Sequence, residues 1–519
     1  VTRYKTHKAQ IDGYRMQIRR VMEAITRRDA RLLGNHFSDQ TMAFVVGTFV
    51  VSLVGGGFYV AGYFAPRADQ GASSFIMTKS GGRYVLYDSD KTGLKWHEVR
   101  DLASARLILN KPELPKMVKD ETLKSRPTGN PMGLLDGTDN LAVRGDDTTK
   151  WTVCDRTSDA AELSLTKADS RTTTLFAGAD SLTSAVTALP ANDAMLIKLD
   201  DNPQEWIVYN GVRALVGPQD QATRQALHLT PEVSAKAIAV SKGLFNAIPA
   251  APALTAPFIA DRGRVNPALP QTLNGDVIET AAADGTRQYF IPQQNGVQQV
   301  SEFTAQLLIN TGSKEITTLA RAQLSAVPLV SDIDNRFYPA VAPTFRQPHV
   351  LCWSWSKGSQ DLKATATVMT GEALPVAPDK AQNVVELLRS TNPEATANAA
   401  YTAPGEGWFV RITGATAESH AQEQLFLITA KGVRYFIGPD EQNKYDSTVK
   451  ALGIGAKDPL PIPWPIAELY SPGPTFSHLA ASVELSPLVP PNVNQKAVPL
   501  DPNVVTPSSE APPPPPQEN

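Results

Sequence analysis

Between Asp39 and Arg67 the chain carries no charged residue, and within that gap Met42–Phe64 reads MAFVVGTFVVSLVGGGFYVAGYF. At 1.5 Å of rise per residue such a stretch is long enough to cross about 30 Å of hydrocarbon as one helix. A buried core helix rarely runs so far without a charge. A cleaved signal peptide has a shorter apolar region, and its basic region is usually not forty residues long. The sequence therefore predicts a retained transmembrane helix over 41–64. Tyr59 and Tyr63 sit near its outer boundary as interface anchors.

Charge on either side fixes the expected orientation. Residues 1–40 hold nine Lys/Arg against four acids, a surplus of five, while the whole chain has a net charge of −3. A basic head on an acidic body suits neither a nucleic-acid-binding protein nor a cytosolic enzyme, and it reads as a topology signal with the N-terminal side in the cytoplasm. Within the head, Ile11, Tyr14, Ile18, Val21, Met22, Ile25 and Leu32 recur at helical spacing between Arg, Gln and Asp. They predict a basic amphipathic helix, suited either to membrane lipids or to a cytoplasmic partner. Arg19, Arg20, Arg27 and Arg28 are the candidate docking residues. Ser52-x-x-x-Gly56 and Gly57-x-x-x-Ala61 offer a weak small-residue face for helix packing.

The remainder carries an internal repeat. Trp206–Pro218 (WIVYNGVRALVGP) and Leu425–Pro439 (LFLITAKGVRYFIGP) share Gly-Val-Arg, a variable residue, two apolar residues and Gly-Pro. Each reads as a β-hairpin. A second pair, Trp96–Ile108 (WHEVRDLASARLI) and Val297–Ile309 (VQQVSEFTAQLLI), matches at one fixed offset. Four hairpin-plus-helix units follow, at 75–128, 203–255, 286–330 and 423–482. Such a unit cannot bury its own apolar face and must pack on a neighbour. The stretches 129–200 and 331–422, with short alternating strands such as Ala194–Leu199 and Trp408–Thr413, are assigned to a central β domain. The tail 487–519 holds eleven prolines and has nothing to bury, so it is expected to be extended or disordered.

Cys154 and Cys352 are the only cysteines. With no CxxC and no Cys/His cluster, a metal site is not expected. In an oxidising compartment the two either form a disulfide, closing a loop of about 200 residues worth up to about 5 kcal/mol, or remain unrelated buried thiols.

Several strings resemble one family. Leu102–Ile108 (LASARLI), Trp151–Asp155 (WTVCD), Gly243–Pro249 (GLFNAIP), Cys352–Trp355 (CWSW) and Gly432–Tyr435 (GVRY), with the basic head before one membrane helix, are similar to the EccB membrane component of mycobacterial type VII (ESX) secretion systems. The family's Gly-Ile-Pro-Gly-Ala-Pro run is replaced here by Gly133–Asn140 (GLLDGTDN), which marks a divergent member. The resemblance implies an α+β fold: a single transmembrane helix, then an elongated periplasmic region with four repeats around a central β domain and a Cys154–Cys352 disulfide. It also implies partners: the EccC motor ATPase, EccD, EccE, further copies of the same chain in a hexameric assembly, and a mycosin protease. The setting is the inner membrane.

Some members of the family are labelled ATPases. The phosphate-cradling string GxxxxGK[ST] is absent from this sequence, and Lys79-Ser80-Gly81-Gly82 reads better as a hairpin turn. Seven scattered histidines show no ligand spacing, and His97 beside Glu98 reads as a solvated surface pair. No catalytic residue, cofactor or metal is expected. The sequence favours a structural secretion subunit. A cell-wall-binding module is the alternative, requiring an exposed groove among Trp206, Trp353, Trp355, Trp408 and Trp464; an ATPase is the third reading, with no motif behind it.

Overall fold

The computed structural model describes residues 8–28, 37–64, 71–157 without 90, 171–199 without 179–181, 201–387 without 283, 317, 318 and 320, and 396–485 without 441 and 443. The tail 487–519 lies outside the described residues. Two units separate, at Val1–Ala68 and Asp69–Asn519.

The first unit holds two helices, α1 (Lys8–Arg27) and α2 (Phe37–Phe64). In α1 the apolar residues form one stripe while Gly13 meets nothing within 4 Å. In α2 the helix runs without a break from Phe37 through the charge-free stretch, with the Thr48 hydroxyl donating back to the Phe44 carbonyl one turn earlier. The side chains of α2 are described only over Met42–Gly57, a piece shorter than the roughly 20 residues a crossing needs. Among the described residues no helix is long and apolar enough to cross a membrane.

The second unit contains five sheets among its described residues. Four share one topology: three antiparallel strands, a helix, then a short strand that returns parallel to the first. In the first repeat these are Phe75–Thr78, Arg83–Tyr87 and Lys95–Glu98, the helix Leu102–Leu109, and Lys116–Val118. The second runs Asp193–Leu199, Asn202–Tyr209, Val212–Val216, a helix at Gln221–Ala226, and Ile238–Val240. The third runs Val277–Ala281, Arg287–Gln293, Gly296–Val300, the helix Glu302–Asn310, and Glu315–Ile316. The fourth runs Trp408–Thr413, Ala421–Ile428, Val433–Ile437, the helix Asp446–Leu452, and Leu460–Pro463. Local chemistry sets the helix starts: Asp101, Asp220 and Ser301 each accept a hydrogen bond from the backbone N–H three residues on.

These sheets correct the expected boundaries. Ala194–Leu199 and Trp408–Thr413 are the first strands of the second and fourth repeats, not parts of the central domain. They alternate like any half-buried strand, and only pairing with the hairpin that follows assigns them. Each repeat also sends a later segment back along its third strand, at Trp96–Thr128, Arg213–Ala250, Val297–Leu329 and Ile437–Phe476. The third-strand edge of each sheet is thereby covered, which blocks strand addition there.

The central sheet has seven strands, in the order Val384–Glu386, Ala399–Tyr401, Arg171–Ala177, Thr148–Thr157, Val350–Gly358, Thr365–Gly371 and Val186–Ala188. Its middle pair, Thr148–Thr157 and Val350–Gly358, joins the two sequence halves antiparallel, with Cys154 directly opposite Cys352. One apolar cluster unites this sheet with the second repeat (Met195, Ile197, Val208) and the fourth (Trp408, Val410, Ile428). A second cluster joins the first repeat to the fourth through Val85 and Leu107 against Leu427 and Ile437. A third joins the third repeat to the second through Phe303 and Leu307. The second and fourth repeats are therefore inner, and the first and third are outer.

Candidate functional site

The head helix α1 presents its side chains to solvent on every side. Ile11, Tyr14, Ile18, Val21, Met22 and Ile25 are all exposed, Ile25 at 72%. At about 100° per residue these six fall within one quarter to one third of the circumference. The helical positions of Arg19, Arg20 and Arg27 fall within an arc of about 100° on the side away from that stripe. Arg19, Arg20 and Arg28 are exposed, Arg28 standing just past the helix at φ 53°. Arg27 closes the helix, and its side chain lies outside the described residues. An apolar stripe left bare along a helix suits contact with either lipid or a partner.

In the second unit Cys154 and Cys352 form a disulfide across the middle strand pair, with Cα atoms 4.0 Å apart and a sequence separation of 198. Both sulfurs are fully buried against Phe176, Val186, Val350 and Tyr401. Beside it, Thr152 donates to Ser354 across the same two strands. Asp155, 2% exposed, accepts from the Thr173 hydroxyl and from both the hydroxyl and N–H of Ser241, tying the central sheet to the second repeat. Trp151 donates to the Pro461 carbonyl of the fourth repeat, and Trp353 to the Gly211 carbonyl of the second. Each buried indole thus docks one inner repeat while filling the core.

The shared Gly-Val-Arg string has a physical role that all four repeats use. Arg213 donates Nε–H to the Phe245 carbonyl at 2.8 Å, and Arg434 to the Tyr470 carbonyl at 3.1 Å. Each guanidinium also stacks on aromatic rings, Arg213 at 3.9 Å from Phe245 and Arg434 at 5.1 Å from Trp464. Burial lowers the pKa of both guanidiniums from the ordinary arginine value. At the matching position of the outer repeats stand His97, which hydrogen-bonds the Asn130 carbonyl through Nδ1 at 2.8 Å, and Gln298, which donates to the Ile333 carbonyl at 2.6 Å. One polar side chain per repeat therefore clamps the returning segment. Sequence comparison found the two arginines because they are identical, and missed the outer pair because only the position repeats.

His97 corrects a sequence expectation. Its neighbour Glu98 is exposed, but His97, on the opposite face of the strand, is fully buried where the segment 128–130 packs along it. Lys79–Gly82 forms the expected turn, with Gly81 at φ 93° and its N–H donating to the Thr78 carbonyl. Of the five candidate wall-binding tryptophans, Trp353, Trp355 and Trp408 are at most 1% exposed. Trp206 is half-buried against Phe245 and Arg213. Only Trp464 reaches 37% exposure. Among the described residues no group of three or more His, Cys, Asp or Glu could hold a metal ion.

The family profile of the type VII secretion system ESX-1 transport transmembrane domain B, EccB, matches residues 3–490. The chain belongs to the EccB family. Relatives include the ESX-3 secretion system ATPase EccB3 of Mycobacterium tuberculosis, 31% identical over 93% of this chain and 90% of that protein. The ESX-3 EccB3 of Mycolicibacterium smegmatis is 30% identical over 90% and 88%. Among solved structures, a chain of an intact ESX-5 inner membrane complex aligns at TM-score 0.68 with 25% identity, covering 96% of this chain and 99% of that one. The EccB3 dimer from the ESX-3 core complex aligns at 0.66 with 28% identity, over 79% and 99%. Several EccB relatives carry ATPase in their names, while the solved relatives are subunits of membrane core complexes.

Proposed function

We propose that this EccB chain is a non-enzymatic structural subunit of a type VII secretion membrane complex, anchored once in the inner membrane with its head in the cytoplasm and its repeat body in the periplasm. The observation that carries this reading is the alignment over 96% of the chain with a subunit of an intact ESX-5 inner membrane complex. The anchor is 41–64, supported by the charge-free run and by helix α2, which spans Phe37–Phe64. The positive surplus before it puts residues 1–40 inside. The bare stripe of α1 and the arginines Arg19, Arg20, Arg27 and Arg28 then meet the EccC motor ATPase and the EccD and EccE subunits. The body associates with other copies as a hexamer, and a mycosin protease sits on the same side.

The experiment is the mass of the detergent-extracted complex, with this subunit tagged, before and after deletion of residues 1–40. A megadalton assembly containing the motor, lost on deletion, is expected; a monomer or dimer in both cases overturns the reading. Charge reversal of Arg19, Arg20, Arg27 and Arg28 to Glu is expected to abolish co-purification with the motor, and an unchanged yield removes the docking role. The wall-binding alternative loses ground because Trp353, Trp355 and Trp408 are inside the core.

A further inference from the structure

The disulfide joins two strands that are adjacent in space and separated by 198 residues in the chain. The intervening sequence contains the whole second and third repeats. Cys154 and Cys352 are both 0% exposed, with Phe176, Val186, Val350 and Tyr401 packed around them. The strands carrying them form the middle of a seven-stranded sheet, so neither lies at an edge where the sheet could open locally. Disulfide exchange requires a thiolate to reach a sulfur in line with its partner. Once this sheet has closed, no oxidant reaches either thiol.

From this geometry we propose that the chain is a client of a protein thiol oxidant, a thioredoxin-type partner with a Cys-x-x-Cys disulfide, that acts on Cys154 and Cys352 before the central sheet closes. The proposal rests on the periplasmic placement of the body given above; the refolding test below is independent of that placement. In the first step the Cys154 thiolate attacks one sulfur of the oxidant's disulfide. An S–S bond forms between Cys154 and the oxidant, and the oxidant's second cysteine leaves as a thiolate. In the second step the Cys352 thiolate attacks the Cys154 sulfur. The Cys154–Cys352 bond forms and the oxidant departs as a dithiol. Two protein thiols have been oxidised, one partner disulfide reduced, and the two protons passed to the partner's sulfurs.

Chain order makes Cys154 the first point of attack. It precedes Cys352 in any N-to-C emergence, and its resolving partner is absent until nearly two hundred further residues have followed. A mixed disulfide with a folded protein partner protects the early thiol during that interval. A partner with a low-pKa leaving thiol exchanges faster than an ordinary small disulfide, so closure outruns burial of the reduced thiols. The finished bond is inert to reductant in the folded protein and serves as a permanent staple, not a redox switch.

The test refolds the denatured, reduced full-length chain in detergent. A Cys-x-x-Cys oxidant in its disulfide form is added at successive delays, and alkylated samples are run on non-reducing gels. Closure is expected to fall with delay in step with the fraction of thiols still reactive to maleimide. Closure that persists after maleimide reactivity is gone overturns the proposal. At equal disulfide equivalents, oxidised glutathione is expected to close the bond more slowly, on the order of tenfold; equal rates remove the protein partner. The Cys352→Ser chain is expected to accumulate a mixed disulfide between Cys154 and the oxidant. For this readout the oxidant's second cysteine is replaced by serine, so that it cannot reverse the first step, and its remaining cysteine is supplied as a mixed disulfide with a small aromatic thiol, which leaves as Cys154 attacks; the variant need not fold, and absence of the Cys154–oxidant disulfide also overturns the proposal.

Discussion

The inner and outer repeats share one topology and differ in what their apolar faces meet. The second and fourth repeats contribute Met195, Val208, Trp408 and Val410 to the same cluster as the central Trp151 and Trp353. The third repeat contributes only Phe303 and Leu307 to a cluster with the second, and keeps Val277, Ile291 and Leu308 in a small core of its own. The clamps follow the same division. Inner repeats hold their returning segment with a stacked arginine, and outer repeats use His97 or Gln298. An arginine fits where aromatic rings can cover its planar face, and a charge-assisted hydrogen bond is roughly twice as strong as a neutral one. A repeat's position in the assembly, more than its fold, decides how firmly it must be closed.

The strongest test of this comparison removes the staple between the halves. Cys154→Ser is expected to destabilise the body by up to about 5 kcal/mol and to abolish the mobility difference between reducing and non-reducing denaturing gels. A wild-type chain with no such difference would remove the disulfide altogether. Next, Trp408→Ala in the fourth repeat is expected to cost about 3–5 kcal/mol and to lower hydrogen-exchange protection throughout the inner repeats and central sheet. Ile291→Ala in the third repeat, costing about 2–5 kcal/mol, is expected to lower protection only over 277–316. Equal spread of both effects would break the inner–outer distinction.

The clamps sharpen it further. Arg434→Ala is expected to cost about 2–3 kcal/mol, combining a charged hydrogen bond with ring stacking. Gln298→Ala is expected to cost about 1–2 kcal/mol, read from denaturant midpoints. The reverse order would show that ring stacking adds nothing to the inner clamp.

The smallest expected effect concerns pH in the first repeat. Asp101 caps the Leu102–Leu109 helix, with Oδ1 accepting from Ser104 N–H at 2.7 Å. Burial pushes its carboxyl above the ordinary aspartate value; the Ser104 hydrogen bonds and Arg83 oppose that rise, and nearby Asp139 adds to it. The folded state therefore holds this proton more tightly than the unfolded chain. The contribution of Asp101 to stability is greatest below the unfolded pKa of about 3.9, and it is lost as pH rises through the raised folded value. Asp101→Asn keeps a capping oxygen and is expected to flatten that part of the stability–pH curve; an unchanged slope would exclude Asp101 as its source.

Much of this organisation was legible in residues. The two repeat pairs found by sequence, 206–218 with 425–439 and 96–108 with 297–309, turn out to be the inner pair and the outer pair. Identical environments kept identical residues: Arg213 and Arg434 both need an aromatic cover and a carbonyl. The strands Ala194–Leu199 and Trp408–Thr413 were assigned to the wrong sheet, since alternation fixes that a strand is half-buried and says nothing of its partner. His97 was misplaced for a related reason. A histidine's neighbours in sequence do not reveal which side of its sheet is covered. For the head, helical periodicity and the bare stripe of α1 agree, and the 100° step puts the positions of Arg19, Arg20 and Arg27 on the side away from that stripe, with Arg28 just past the helix.

The sequence by itself determined the charge-free apolar run, the basic head, the number of repeats and their pairing, because these depend on local composition and periodicity. Only the tertiary structure decided which first strand belongs to which repeat, which repeats are inner, and that Cys154 stands opposite Cys352. Those are facts of register and packing between segments up to hundreds of residues apart, and the hydrophobic energy that selects them is non-directional along the chain.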